Sequence, residues 1–125
     1  MSDKILLTEA ETRIMRLLWQ RSPQTMMELT RALESDTHWS KYTVITLLKR
    51  MAQKGTVRIN ESGAVKTYAP AVDHATVADE QTDRLLQQMY AGKPSLLMSA
   101  LVERGHISDA ELADMMQIIR RASEK

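Results

Sequence analysis

The run Trp39-Ser40-Lys41-Tyr42-Thr43-Val44-Ile45-Thr46-Leu47-Leu48-Lys49-Arg50-Met51, continued by Ala52-Gln53-Lys54-Gly55, decides how this chain folds. Val44, Leu47, Leu48 and Met51 keep the i, i+3, i+4, i+7 spacing of a single buried stripe, so the segment reads as an amphipathic helix. Ser40 is a good N-cap, and Trp39 before it with Val44 at the fourth helical position predicts a hydrophobic staple. Lys54-Gly55 ends the helix, because glycine accepts the left-handed cap. At about 100° per residue, the side opposite Val44 collects Tyr42, Thr46, Lys49, Arg50 and Gln53, with Thr43 and Ile45 flanking. That face is polar and cationic while its reverse is apolar.

Upstream, two shorter helices are predicted. Thr8-Glu9-Ala10-Glu11 is a capping box that opens a helix with Ala10, Ile14, Leu17 and Leu18 on one side, ended by Ser22-Pro23. Thr25-Met26-Met27-Glu28 repeats the box ahead of Met26, Leu29 and Leu33, and the polar stretch 34–38 reads as a turn. Downstream the period changes to two. Val57 and Ile59, then Val65 and Thr67, bracket Asn60-Glu61-Ser62-Gly63 and predict a hairpin that Tyr68-Ala69-Pro70 closes. Helix, helix, helix, hairpin is the order of a winged helix-turn-helix unit, expected over residues 1–72.

Residues 73–125 carry three more helical patterns, for a mainly α chain overall. Val77, Leu85, Leu86 and Met89 mark the first, which Ala91-Gly92-Lys93 breaks. Pro94 suits the first turn of the next, which holds Leu96, Leu97, Leu101 and Val102. Ser108-Asp109-Ala110-Glu111, stapled by Ile107 and Leu112, opens the last, with Met115, Met116 and Ile119. Three helices in so short a segment cannot hide all these faces by themselves. A helical dimerisation domain is therefore expected, with Val77, Leu85, Leu86, Met89, Leu96, Leu97, Leu101, Leu112, Met115, Met116 and Ile119 as its contact residues and a homodimer as the assembly.

The charge distribution agrees with a polyanionic partner for the first part. The net charge is +1, but residues 1–72 hold 11 Lys and Arg against 7 Asp and Glu, whereas 73–125 hold 6 against 9. Within 38–68, Lys41, Lys49, Arg50, Lys54, Arg58 and Lys66 face Glu61 alone. Arg and Lys can donate to guanine or phosphate, Gln can pair with adenine, and Thr offers a hydroxyl and a methyl. Ser40 and Lys41 at the helix start suit a phosphate. The expected double-stranded DNA interface is Ser40, Lys41, Tyr42, Thr43, Thr46, Lys49, Arg50, Gln53, Lys54, Arg58 and Lys66. An ordinary solvated helix face is the plainer alternative, and a winged-helix module that binds protein instead of nucleic acid is another.

Other classes find less support. Of the 125 residues 43% are hydrophobic, enough for a core, and nine methionines with no phenylalanine point to a core filled by Met and Leu. The absence of cysteine excludes disulfides and thiolate metal sites. No apolar run nears the roughly 20 residues that span a bilayer, and no signal pattern opens the chain, so no membrane partner and a cytoplasmic location are expected. His38, His74 and His106 stand singly, without metal-ligand spacing. No nucleophile elbow, phosphate-binding glycine loop or HExxH motif occurs, so no catalytic residue, metal or cofactor is assigned and the chain is not read as an enzyme.

The third-helix run also resembles the recognition segment of the penicillinase repressors, the BlaI/MecI/CopY family: Trp-Ser, two variable places, Thr-Ile/Val, one variable place, Thr-Leu-Leu, one variable place, Arg. The similarity extends to Leu7-Thr8-Glu9-Ala10-Glu11 with Met15 and Trp19, to Lys54-Gly55, Tyr68-Ala69-Pro70 and Tyr90-Ala91-Gly92, and to Ile107-Ser108-Asp109-Ala110-Glu111-Leu112. It implies a winged-helix DNA-binding domain, a helical dimerisation domain and repression at an inverted repeat near a promoter. Thr43, Thr46 and Arg50 match the DNA-facing positions of the family. Tyr42 stands where members often have Lys, and Gly63-Ala64 where the wing often has Gly-Arg. Met98-Ser99-Ala100-Leu101 replaces the stretch that carries a cleavable Asn-Phe bond in some members, and the cysteine cluster of copper-sensing members is missing. The resemblance therefore leaves the inducer or protease that releases DNA unidentified.

Overall fold

The computed structural model describes residues 6–124. The chain runs α1 (Glu9–Gln20), β1 (Gln24–Thr25), α2 (Met26–Thr37), α3 (Lys41–Lys54), β2 (Val57–Asn60), β3 (Thr67–Pro70), α4 (His74–Met89), α5 (Pro94–Glu103) and α6 (Asp109–Ser123). It divides into two compact units, residues 6–81 and 82–124. The long α4 thus contributes to both.

The first unit is built by the stripes read above. Thr8 and Thr25 each form a full capping box, with Glu11 and Glu28 answering the cap backbone N–H. Ser40 caps α3 by accepting from Thr43 N, and Gly55 closes it at φ 87°. Ile14, Met15 and Leu18 of α1, Leu29 and Leu33 of α2, and Val44, Leu47, Leu48 and Met51 of α3 form one core with Val57 and Tyr68 of the sheet. Trp39, partly buried, packs against that cluster.

The structure corrects the sequence reading in three places here. Residues 34–37 are the last turn of α2 and not a turn region; the chain reverses only at His38, in the left-handed conformation at φ 57°. Their polarity reflects an outer face, and Thr37 Oγ1 donates back to Leu33 O at 2.8 Å as part of the helix. The return strand begins at Thr67, so Val65 lies outside the sheet and is 62% exposed, while Tyr68 carries the inward position opposite Ile59. A third strand, β1, was not anticipated. Its two residues pair antiparallel with β3, giving the order β1-β3-β2. The buried Gln24 is held there because its amide donates to Leu17 O and Arg21 O at 3.0 and 2.6 Å.

The first unit also extends past residue 72, the expected boundary. Trp19 Nε1 donates to Val72 O at 3.0 Å, and its ring meets His74 edge-on at 5.0 Å. One turn later Val77 is 3% exposed. Val77, assigned above to dimerisation, is therefore a packing residue of the winged unit.

In the second unit Gly92, at φ 72°, ends α4 by donating to Leu86 O at 2.8 Å. Pro94 opens α5, and Ser108 Oγ accepts from Glu111 N to cap α6. Its helices bury no residue. Leu86, Leu97, Leu101 and Met115 are half-buried, while Leu85, Met89, Leu96, Leu112, Met116 and Ile119 are exposed.

One ion pair, its carboxylate buried and its ammonium partly exposed, ties α1 to the end of α3. Lys54 Nζ lies 2.8 and 3.0 Å from the two oxygens of Glu11, which is fully buried, and also donates to Leu6 O at 3.3 Å. Burial alone disfavours the charged carboxylate, but the Lys54 hydrogen bond, the Thr8 N–H and the Lys54 charge outweigh it and hold the Glu11 pKa below its ordinary value of 4.5. A depressed carboxylate pKa contributes stability above that ordinary value and loses it as pH falls through the folded value. Two outcomes are expected in thermal melts. Lys54→Met, which strands the carboxylate, destabilises by about 1–3 kcal/mol near neutral pH. The gap in Tm between the natural chain and Glu11→Gln narrows as pH is lowered from about 6 to 3; a constant gap would show that the carboxylate charge is not what matters.

Candidate nucleic-acid interface

The same burial that forms the core fixes which side of α3 faces outward. With Val44, Leu47, Leu48 and Met51 turned in, Lys41, Tyr42, Thr43, Thr46, Lys49, Arg50 and Gln53 are all exposed along the opposite side. α2, the short link at 38–40 and α3 make the helix-turn-helix, and the β2–β3 hairpin is its wing.

At the start of α3, Ser40 Oγ accepts from Thr43 N at 3.3 Å. Tyr42 is 71% exposed, and Lys41 Nζ sits 5.4 Å from its ring centroid, a cation–π contact. Thr46 Oγ1 donates to Tyr42 O at 2.8 Å. Its hydroxyl proton is thus committed to the helix, and what it offers outward is a methyl group and an acceptor lone pair. Among the described residues, Lys49, Arg50 and Arg58 make no ion pair, so their donors are free for an incoming anion. Arg58 is exposed on β2. Lys66, beside β3, pairs with Glu61 at 3.3 Å, and both are well exposed. Such a pair contributes little and exchanges readily for a phosphate.

Lys54 departs from expectation. Its ammonium is engaged by Glu11 and Leu6 O, so it is a structural cation and not a free phosphate donor. Nothing local in the sequence signals this, since its partner lies 43 residues away. The other expected interface residues sit on α3, its cap or the wing. The expected dimerisation residues other than Val77 fall in the second unit.

Among the described residues no cluster of three or more His, Cys, Asp or Glu is placed to hold a metal ion, and no helix is long and apolar enough to cross a membrane. What the outward face offers is a row of donors, hydroxyls and one exposed phenol on a rigid helix flanked by a cationic wing. That suits groove edges and phosphates.

Known proteins are similar to this chain in sequence and fold. The penicillinase repressor of Bacillus licheniformis is 25% identical over 113 residues, spanning 90% of this chain and 88% of its own. The methicillin resistance regulatory protein MecI of Staphylococcus aureus is 19% identical over 115 residues, 92% of this chain and 94% of its own. The solved DNA-binding domain of the repressor BlaI superposes with a TM-score of 0.53 at 28% identity, covering 61% of this chain and 93% of that one. The Bacillus licheniformis BlaI monomeric form in complex with the blaP half-operator gives the same values. The Penicillinase repressor family model matches residues 7–121, which takes in both units, and the chain belongs to the penicillinase repressor family.

Proposed function

We propose that this protein is a transcriptional repressor that binds an inverted-repeat operator as a homodimer. One observation carries the DNA reading: the outer face of α3 is exposed, polar and cationic over its whole length, whereas its inner face is entirely buried. The family membership and the half-operator complex of a relative support it. Base reading falls to Arg50, Thr46, Thr43, Tyr42, Lys49 and Gln53, with Thr46 suited to a thymine methyl. Ser40, Lys41, Arg58 and Lys66 position the protein on phosphates. The partner is double-stranded DNA, no catalytic step is involved, and the site of action is the cytoplasm.

The homodimer rests on the second unit. Its helices leave Leu85, Met89, Leu96, Leu112, Met116 and Ile119 in water, and a second copy of the same faces would cover them. A two-fold dimer carries two recognition helices, so its half-sites lie about one DNA turn, ~10 bp, or a small multiple apart.

Three measurements check this. In a salt series on operator and scrambled duplexes, Arg50→Ala loses about 1–3 kcal/mol per half-site and relaxes base preference, whereas Arg58→Ala weakens both duplexes alike and lowers the salt slope by about one. If Arg50→Ala binds both as the natural chain does, α3 is not the reader. Leu97→Asp or Leu101→Asp shifts sedimentation toward monomer by placing a charge in an apolar interface; an unchanged dimer for both removes the second unit from that role. Footprinting at saturation protects two symmetric half-sites, and protection of one asymmetric half-site refutes the inverted repeat.

A further inference from the structure

Between the wing, the start of α2 and the side of α3 lies an open cleft of about 390 Å³. Met26, Met27, Ile45, Val65 and Tyr68 line it, together with Lys66. Its size falls within the roughly 300–1,000 Å³ of small-molecule sites. The Thr25 hydroxyl at its edge already accepts from Glu28 N as the α2 cap. The walls are therefore apolar, with two flexible methionines that can reshape to an occupant.

This hollow is not accounted for by DNA binding. A surface that meets phosphates gains from donors and cations, yet here Met27 and Val65 stand in water between the two elements that face the duplex. Nor is it a neutral hollow. Ile45 shares a strip of α3 with Lys41 one turn before it and Lys49 one turn after it, both exposed. Lys66 supplies a cation in the cleft lining itself, paired with the exposed Glu61 at 3.3 Å. An apolar hollow with one lysine in its lining is complementary to a molecule with a hydrocarbon or aromatic body and a single acidic group.

We propose that this cleft binds a small apolar carboxylate, body against Met26, Met27, Ile45, Val65 and Tyr68 and acid group toward Lys66. The consequence for DNA rests on the function proposed above. A carboxylate held there occupies Lys66, assigned to a phosphate, and stands between wing and recognition helix, so ligand and duplex exclude one another. By linkage the two then weaken each other's binding equally. That gives the protein a small-molecule release route that needs neither proteolysis nor cysteine.

The test uses the full-length chain and two probes, the fluorescent dye anilinonaphthalene sulfonate and octanoate. The dye, an apolar anion, is expected to bind and to be displaced by octanoate but not by octylamine, which has the same tail and the opposite charge. Met27→Glu places a carboxylate in the cleft at the first turn of α2, where an acid suits the helix, and should weaken dye and octanoate by at least about tenfold with an unchanged circular dichroism spectrum. Val65→Glu does the same from the wing. Octanoate should lower duplex affinity of the natural chain and leave that of Met27→Glu unmoved. Dye binding that both variants retain, or displacement by octylamine as strong as by octanoate, overturns the proposal. So does an octanoate effect on duplex binding that is equal in the natural chain and Met27→Glu. Should the natural chain bind no duplex at all, the repressor reading falls, while the dye and octanoate arms still decide the cleft.

Discussion

The insertion of Val44, Leu47, Leu48 and Met51 between α1, α2 and the sheet is the constraint on which the rest of the first unit depends. A helix presents one face only by hiding another. Once those four side chains are buried, the azimuth of every other α3 residue is set, and no further interaction is needed to aim Arg50 or Tyr42 outward. A close-packed interior tolerates little rotation, because turning the helix by one position would carry a leucine into water and a lysine or arginine into the core. Recognition geometry is thus inherited from packing.

Both ends of α3 are fixed as well. At the start, the Ser40 cap and the packed Trp39 define where the helix begins. At the end, Gly55 reverses the chain and Lys54 reaches back to Glu11. Glu11 has two tasks: it completes the α1 capping box through Thr8 N and it binds the ammonium of the recognition helix. A buried carboxylate is tolerable here because both of its oxygens accept hydrogen bonds, and no buried side-chain polar atom among the described residues lacks a partner. The pair contributes stability, as the lowered carboxylate pKa requires, and it also fixes position. What it enforces is that α3 cannot slide along α1 without stranding a charge.

Much of this was legible in the sequence because it is written in local periodicities. The stripe of α3, the three capping motifs, Pro94 at the start of α5 and the glycines after α3 and α4 each announce an element within a few residues. What stayed hidden has one physical character: it depends on partners distant in sequence. Nothing near Gln24 says that two residues will pair with β3, since the strand exists only once Tyr68 is in place. Nothing near Lys54 distinguishes it from Lys49, which points to solvent. The same holds for Val77, whose apolar spacing on α4 is shared with Leu85 and Leu86, yet whose cover comes from the first unit. Composition misled once in the other direction. The polar run at 34–37 looked like a loop because outer helix faces and loops draw on the same residues, and Leu33 alone anchors that turn inward.

The two units handle apolar surface in opposite ways. The first encloses its stripes, and among its described residues the large apolar side chains left exposed are Leu6, Tyr42 and, at the cleft beside α3, Met27 and Val65. The second keeps apolar residues on all three of its helical segments and buries none of them. Covering those faces would contribute roughly 25 cal/mol per Å² of apolar surface removed from water, set against the loss of freedom in bringing two chains together. Under the proposed homodimer, the second unit therefore acquires its core only by association, and its stability becomes dependent on protein concentration. The first unit, with its core closed within one chain, carries no such dependence. Under the same proposal, the surface that would read DNA is present in each chain, while the spacing between two such surfaces would exist only in the pair.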